Sequence, residues 1–270
     1  MYDAPEAYDW VNNAHNAVAQ GLDVYLSLLE GTDQRMRRYV PFILSVLEER
    51  APTIIPVVEN HLLHETDPQV KAHLLLNLSS QPDYERRDDR WLRDRITAEG
   101  EHPFVRTVAA MLHVRRAKEQ TPPETVQVLL GTLVKPKTVK DLYWELPWTH
   151  GDLVGDISED LLLLPVDTAP QALPALLQAL KNADRAYRSS LKTCFRRGSD
   201  AGPDIVHALL YFAFEGKARP MNAVPFLLTT TQRAILTAIL QSEAAAGQTA
   251  SLFDAFGLPY RGKLQALLLL

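Results

Sequence analysis

The stretch Asp67-Pro68-Gln69-Val70-Lys71 decides the fold, because versions of it recur along the chain. Asp33-Gln34-Arg35-Met36-Arg37 begins 34 residues earlier, and His102-Pro103-Phe104-Val105-Arg106 begins 35 residues later. A fourth version, Asp184-Arg185-Ala186-Tyr187-Arg188, follows after a further 82 residues, which is about two periods with an insertion. A period of this length predicts a chain built of repeated structural units.

Each version predicts the start of a helix. An aspartate at its first position, as at Asp33, Asp67 and Asp184, can accept hydrogen bonds from the free N–H groups of the first turn. A proline directly after it, as at Pro68 and Pro103, costs no helical hydrogen bond. Apolar residues then return every four positions and share one helical face. They are Met36, Val40 and Leu44; Val70, Leu74 and Leu78; Val105 and Ala109; and Tyr187, Leu191 and Phe195.

Another amphipathic helix precedes each version, so the repeated unit is a helical hairpin. These first helices are expected at Leu22 to Leu29, Ile54 to Leu63, Trp91 to Ile96 and Leu173 to Leu180. Two of them contain a proline, Pro56 and Pro174, placed 10–11 residues before the aspartate of the turn. A proline inside a helix removes one backbone hydrogen bond and is expected to bend the helix.

A proline-kinked first helix, a short turn with aspartate and a second helix that opens with Val-Arg or Val-Lys resemble the HEAT repeat. The resemblance covers residues 20–120 and 168–198. It implies an all-α fold in which about six hairpins stack into a right-handed superhelix (an α-solenoid), since a lone hairpin cannot bury its apolar face. We therefore predict a single domain over residues 1–270, with a softer joint at Gly198 to Pro203 and an atypical C-terminal cap over 204–270.

The remaining apolar segments predict further helices, of which those after Pro203 lack the cap of the repeat. These are Pro122 to Leu133, an inserted short helix at Thr138 to Leu146, Asp152 to Leu164, Asp204 to Phe214, Thr230 to Gln241, Ser251 to Phe256 and Arg261 to Leu269. Asp152 to Leu164 is expected to complete the hairpin that Pro122 to Leu133 begins.

Composition is that of an ordinary globular protein and disfavours nucleic acid as a partner. Of the 270 residues, 46% are hydrophobic and 23% charged, and the formal net charge is −5. Proteins that bind duplexes usually present a concentrated basic face. A single cysteine, Cys194, excludes an internal disulfide and fits a reducing compartment. Since neither a signal peptide nor a membrane-spanning stretch is recognised, we expect a cytoplasmic protein without a membrane partner.

The most distinctive candidate site lies at the predicted insertion. Its aromatic and polar residues are Tyr143, Trp144, Trp148, His150 and Asp152. Asp152, Asp156 and Asp160 continue at helical spacing and predict an acidic face. One interpretation is a partner-binding surface, because Trp and Tyr dominate interfaces. Trp148 and Asp152 also resemble the pair with which HEAT-like DNA glycosylases hold a damaged base, and a third interpretation is a tryptophan packed under an inserted loop.

Basic residues recur at the fifth position of the repeated stretch. They are Arg37, Lys71, Arg106 and Arg188. One interpretation is a basic ladder along one surface, and it makes Arg106 and Arg188 candidate binding residues. The other is that each pairs with a carboxylate of a repeat turn, which contributes about 0–1 kcal/mol when exposed.

Residues with catalytic or metal-binding potential are sparse. His61 and His64 lie one helical turn apart near Glu65 and His73, but a structural zinc site needs four ligands and usually thiolates. No base for Cys194 is suggested by the sequence. Gly-rich phosphate loops, Gly-x-Ser-x-Gly turns and His-Glu-x-x-His sequences are absent from the chain. We therefore predict no catalytic residue, no metal and no cofactor.

The sequence favours a non-enzymatic scaffold that binds a protein or peptide on the concave face of the stacked hairpins, as a monomer or weak dimer. Two enzymatic alternatives remain, both from the HEAT resemblance. One is an enzyme acting on nucleic acid, similar to the HEAT-like glycosylases, and the other is a lyase that attaches a tetrapyrrole to a protein. The lyase rests on fold analogy alone.

Overall fold

The computed structural model describes residues 13, 15–82, 88–143, 152–192, 201–216, 228–246 and 249–268. Within these ranges every regular element is helical, and no strand occurs. The predicted all-α class is confirmed. Contacts divide the described residues into two compact units, unit 1 up to Leu112 and unit 2 from His113 onward. A single domain over residues 1–270 stays a prediction.

The first four helices of unit 1 pair in the order of the sequence, and two more helices follow them. They are α1 (Leu22–Leu29), α2 (Gln34–Leu44), α3 (Ala51–His64), α4 (Pro68–Ser80), α5 (Arg90–Thr97) and the first part of α6 (Pro103–Ala117). Helix α1 packs against α2, and α3 packs against α4, which makes two hairpins. In addition, α1 packs against α3 and α2 against α4. The two hairpins therefore lie side by side with like helices in contact.

Side-chain caps start the second helices of these hairpins, as predicted. The Asp33 carboxylate accepts the N–H groups of Arg35 and Met36 at the start of α2. Asp67 does the same for the first turn of α4, where Pro68 occupies the first position. In α6 the Nδ1 atom of His102 accepts the N–H of Phe104 at 3.2 Å, so an imidazole takes the place of the aspartate.

The periodic apolar positions form the core of unit 1, with one exception. Val70, Leu74 and Leu78 of α4 are fully buried, as are Val40 and Leu44 of α2 to within 1%. Met36 was expected on the same face, but its side chain is 47% exposed. Prolines 56 and 174 lie inside helices as expected, and Pro41 inside α2 was not anticipated.

Unit 2 is organised around one apolar helix, α11. Its helices are α7 (Pro123–Val134), α8 (Lys137–Tyr143), α9 (Leu153–Asp160), α10 (Ala169–Lys192), α11 (Gly202–Ala213), α12 (Thr230–Gln241), α13 (Thr249–Ala255) and α14 (Arg261–Leu268). Helix α11 packs against α9, α10, α12 and α13. Helix α7 packs mainly against α10, and α9 mainly against α11. Thus α9 is not chiefly the hairpin partner of α7 that the sequence suggested.

The predicted turn at Asp184 is wrong. Helix α10 runs unbroken for 24 residues, and Asp184 lies inside it. No glycine or proline follows Pro174 before the helix ends, so nothing in the local sequence breaks it. The Asp184 carboxylate instead accepts the Ser242 hydroxyl at 2.8 Å and the Ala244 N–H at 3.0 Å, and so holds the turn after α12.

The turn after α12 also packs closely against the start of α11, and this contact leads to a prediction for Gly202. A Cβ added to Gly202 would meet the carbonyl oxygen of Ala244 at 2.5 Å, and backbone cannot move aside cheaply. We expect Gly202→Ala to lower the free energy of unfolding by about 1–3 kcal/mol. The matched control is Gly131→Ala in α7, where a Cβ meets nothing within 4 Å. That variant should gain about 0.5–1 kcal/mol. Urea denaturation of both variants checks the contrast, and equal effects would contradict it.

Candidate functional site

Three aspartates, the cap of α9 and two residues within it, each meet a different side chain from another helix. Lys140 of α8 donates to Asp152 at 2.5 Å, and the Tyr143 hydroxyl donates to Asp156. Asp160 accepts the Nε–H of Arg115 at 2.7 Å. We call these six residues the α9 cluster. The acidic face was predicted from spacing, and Tyr143 from proximity in sequence, whereas Arg115 was missed because it lies 45 residues from Asp160.

Burial controls the protonation of the α9 cluster. The pKa of Asp160 is raised to about 6 because the carboxyl is buried, although the Arg115 guanidinium opposes the shift. Its second oxygen, Oδ2, is buried and meets no hydrogen-bond partner among the described residues. Burial also raises the pKa of the Tyr143 phenol, and the hydrogen bond to Asp156 adds to the effect. Tyr143 is therefore a neutral hydrogen-bond donor rather than a nucleophile.

Asp152 is occupied by structural contacts. One carboxylate oxygen caps α9 by accepting the N–H of Val154 at 2.9 Å, and the other accepts Lys140. The side chain is only 3% exposed. Of its predicted companions, Trp144, Trp148 and His150 lie outside the described residues. A joint site of Trp148 and Asp152 stays a prediction, and the geometry around Asp152 fits a helix cap.

The capping role of Asp152 predicts a specific pattern of stabilities. Asp152→Ala should lower the free energy of unfolding by about 1–2 kcal/mol, because α9 loses its cap. Asp152→Asn should retain most of the stability, since asparagine caps helices nearly as well as aspartate. Chemical denaturation of the two variants measures the difference. A larger loss for the asparagine than for the alanine variant would contradict the capping role.

Two of the four recurrent basic residues connect neighbouring repeat turns in unit 1. Arg37 of α2 bonds to Glu65 at 3.1 Å, just before the cap of α4. Lys71 of α4 bonds in the same way to Glu101 at 2.9 Å, just before α6. Both glutamate side chains are at most 5% exposed. These contacts match the interpretation that the basic residues pair with turn carboxylates.

Hydrogen bonds hold both of these glutamates in the ionised form. Burial acts to raise the pKa of Glu65, but the N–H groups of Asp67 and Thr66 and the His61 ring outweigh it, so the pKa is lowered. For Glu101, burial is likewise outweighed, mainly by the hydrogen bond from Lys71, and the pKa is lowered. The side chains of Arg37 and Lys71 are thus paired with buried carboxylates, and their charges are neutralised within the protein.

Arg106 and Arg188 do not extend this pattern. The Nε–H of Arg106 donates to the carbonyl oxygen of Ile96 at 2.9 Å, which ties α6 to the end of α5. Arg188 pairs with Glu243 at 3.3 Å, and both side chains are at least half exposed. An exposed pair of this kind contributes about 0–1 kcal/mol. The recurrent basic residues therefore have three kinds of partner, namely a buried glutamate, a backbone carbonyl and an exposed glutamate.

A groove between α3 and α5 was not anticipated from the sequence. Its volume is about 570 Å³, and its apolar part comes from Leu62, Leu63 and Trp91. Charged side chains of both signs surround it, namely Glu59, Asp88, Arg90, Asp94 and Arg95. Leu63 is 65% exposed. Both helices were predicted from the sequence, but the sequence did not show that α3 and Trp91 of α5 lie opposite each other.

Two of the histidines considered as metal ligands have other partners. His61 faces Glu65 at 3.1 Å and Glu30 at 3.5 Å. The Nδ1 atom of His73 instead contacts the carbonyl oxygen of Arg38 on α2. Within the described ranges, no three His, Cys, Asp or Glu side chains are grouped so as to hold a metal ion. Cys194 lies outside those ranges.

No protein-family model, curated protein or solved structure matches the chain. In the part of the chain that the structure describes, no helix combines the length and apolar content needed to cross a membrane. The packed helices are compatible with an α-solenoid. The HEAT identity and the superhelix stay predictions.

Proposed function

We propose that this chain is a non-enzymatic scaffold that binds a protein or peptide on the surface formed by its successive second helices. The observation that carries the proposal is the packing of unit 1, where α2 lies on α4 and α1 lies on α3. Hairpins stacked in this way build an extended surface to which each repeat contributes one helix. In an α-solenoid this surface is concave.

The charges of unit 1 support a protein partner over nucleic acid. Phosphate binding needs cations that are free to replace counterions along a backbone. Arg37 and Lys71 are instead neutralised by the buried carboxylates of Glu65 and Glu101. Arg106 is directed to a backbone carbonyl. Such residues stabilise the stack and leave recognition to other side chains.

The α9 cluster supports a structural role in preference to a glycosylase-like one. A carboxylate that stabilises a cationic base must reach the base, whereas Asp152 is 3% exposed and accepts two intramolecular hydrogen bonds. No contact of the described residues favours a tetrapyrrole-attaching lyase.

Affinity purification of the tagged full-length chain from its native cells, with and without nuclease treatment, tests the proposal. We expect the same protein to be recovered in both conditions and to bind the purified chain directly. Loss of all partners on nuclease treatment, together with salt-dependent duplex binding, would instead favour a nucleic-acid function. Base excision by the wild-type chain that Asp152→Asn abolishes would contradict the scaffold.

A further inference from the structure

Four exposed basic side chains of unit 2 gather where the end of α7 meets the middle of α10. We call them the basic surface, and they are Lys135, Lys137, Lys181 and Arg185. The Asn182 amide of α10 donates to the carbonyl oxygen of Val134, the last residue of α7, at 3.2 Å. Lys135 and Lys137 follow Val134 in the chain, whereas Lys181 precedes Asn182 directly and Arg185 lies one turn after Lys181. This hydrogen bond therefore brings the two pairs of cations close together.

No ion pair neutralises the basic surface within the part of the chain that the structure describes. The Arg185 guanidinium bonds to neutral oxygen atoms, namely that of the Asn182 amide at 2.6 Å and the carbonyl of Lys181 at 3.4 Å. The only carboxylate of α10, Asp184, is directed to the turn after α12. Asp141 of α8 is exposed and is not paired with these cations. The basic surface therefore keeps its positive charge, although the chain as a whole has a net charge of −5.

Local helix electrostatics explains only one of the four positions. Lys135 follows the last turn of α7, where a cation interacts favourably with the free carbonyl groups. Lys137 is the first residue of α8, where a cation is unfavourable. Lys181 and Arg185 lie inside the 24-residue helix α10 at a spacing of four, which places like charges side by side. The arrangement is repulsive in the chain alone, and a bound anion would relieve the repulsion.

The size and chemistry of the basic surface favour the carboxylates of a peptide over nucleic acid. A protein that binds a duplex typically neutralises a long row of about 6–10 phosphates, whereas the basic surface gathers its cations around one hydrogen bond. Proteins that bind single strands add aromatic side chains on which the bases stack, and the basic surface consists of lysines and an arginine. A short run of glutamates or aspartates provides the complementary charge and needs no stacking partner.

We propose that the basic surface is the docking site for an acidic segment of a partner protein. The carboxylates of the segment pair with the ammonium groups of Lys135, Lys137 and Lys181 and with the Arg185 guanidinium. This docking site belongs to unit 2 and is additional to the second-helix surface of unit 1, so each of the two proposals can hold without the other.

Fluorescence anisotropy with two labelled peptides tests the proposal on the full-length chain. One peptide alternates glutamate with glycine, and the other has glutamine in place of every glutamate. We expect only the glutamate peptide to bind at about 0.1 M salt, where charges more than about 10 Å apart are largely screened. Lys181→Gln combined with Arg185→Gln should weaken its binding at least about tenfold. The matched control is Arg233→Gln combined with Lys263→Gln, which removes the same charge from exposed positions of α12 and α14. The control should change the affinity less than about twofold, and circular dichroism verifies that both variants fold.

Carbodiimide crosslinking of the full-length chain locates the bound carboxylates, because it joins them to lysine amines in direct contact. Crosslinks of the glutamate peptide to Lys135, Lys137 and Lys181 support the proposal. Crosslinks confined to other lysines, or crosslinks of these three to carboxylates of the same chain without peptide, would overturn it. Equal binding of the two peptides, or equal affinity of the two double variants, would also overturn it. An oligothymidylate of equal charge that displaces the glutamate peptide and binds more tightly would show that the surface takes nucleic acid instead.

Discussion

Lowering the pH from 7 to 4 is expected to destabilise the α2–α4 packing of unit 1 by about 3 kcal/mol, because His73 must take up a proton. His73 is 1% exposed, and its ring contacts the backbone of α2. Burial, helped by the charge of the neighbouring Arg38, lowers the pKa of His73 from 6.5 to about 4. The unfolded chain therefore binds this proton first. The stabilising contribution is complete above about pH 6.5 and is lost as the pH falls toward 4.

Hydrogen exchange of peptides from α2 and α4 measures this effect locally. His73→Gln is the matched variant, because an amide can still donate to the Arg38 carbonyl but does not titrate. The wild-type chain should lose protection on acidification, and the variant should lose about 3 kcal/mol less. Glu65 and Glu101 also have lowered pKa values and act in the same direction, but they do so in both proteins. Identical pH profiles would contradict the role of His73.

The second large effect of pH on stability concerns unit 2, which is expected to lose stability as the pH rises. Raising the pH from 4 to 7 should destabilise the packing around α9 by about 2–3 kcal/mol as Asp160 ionises. Burial, helped by the carboxylates of Asp156 and Glu159, raises the pKa of Asp160 from 3.8 to about 6, although the Arg115 guanidinium opposes the shift. The folded state therefore binds the proton more tightly than the unfolded chain. The stabilisation is complete below about pH 3.8 and is lost as the pH rises through 6.

Asp160→Asn separates this effect from the other titrations of unit 2. Asparagine stays neutral, so the exchange protection of peptides from α9 should no longer fall between pH 4 and 7. Arg115→Gln provides the converse test, because without the guanidinium the Asp160 pKa should rise further and the loss of protection should move to higher pH. A wild-type profile for both variants would show that Asp160 does not titrate in this range.

Local sequence determined where most helices begin and end. The predicted spans Leu22 to Leu29 and Thr230 to Gln241 coincide with α1 and α12. Asp33 and Asp67 act as caps because the groups they accept lie two and three residues away. An interaction over two or three residues can be recognised from the sequence alone. The all-α class follows from the same short-range pattern.

The α9 cluster and the exposed side chain of Met36 show where sequence reasoning stopped. Spacing alone placed Asp152, Asp156 and Asp160 on one face of α9, since helical geometry is fixed. It did not supply Arg115, which reaches Asp160 across 45 residues of chain. Likewise, Met36 fits the apolar period of α2, yet whether a neighbour covers it depends on which helices pack there. Periodicity defines a face and does not assign its partner.

Asp184 shows the difference between what the local sequence determines and what the tertiary structure decides. Its surroundings resemble those of Asp33 and Asp67, and the sequence alone predicted a third aspartate cap. Without a glycine or proline to stop it, α10 continues, and the carboxylate bonds to Ser242 and Ala244, 58 and 60 residues away. The sequence by itself determined the helical class and the caps at Asp33 and Asp67, because these depend on groups a few residues apart. Only the tertiary structure decided which buried charges meet and which apolar face stays exposed, because those depend on packing between distant segments.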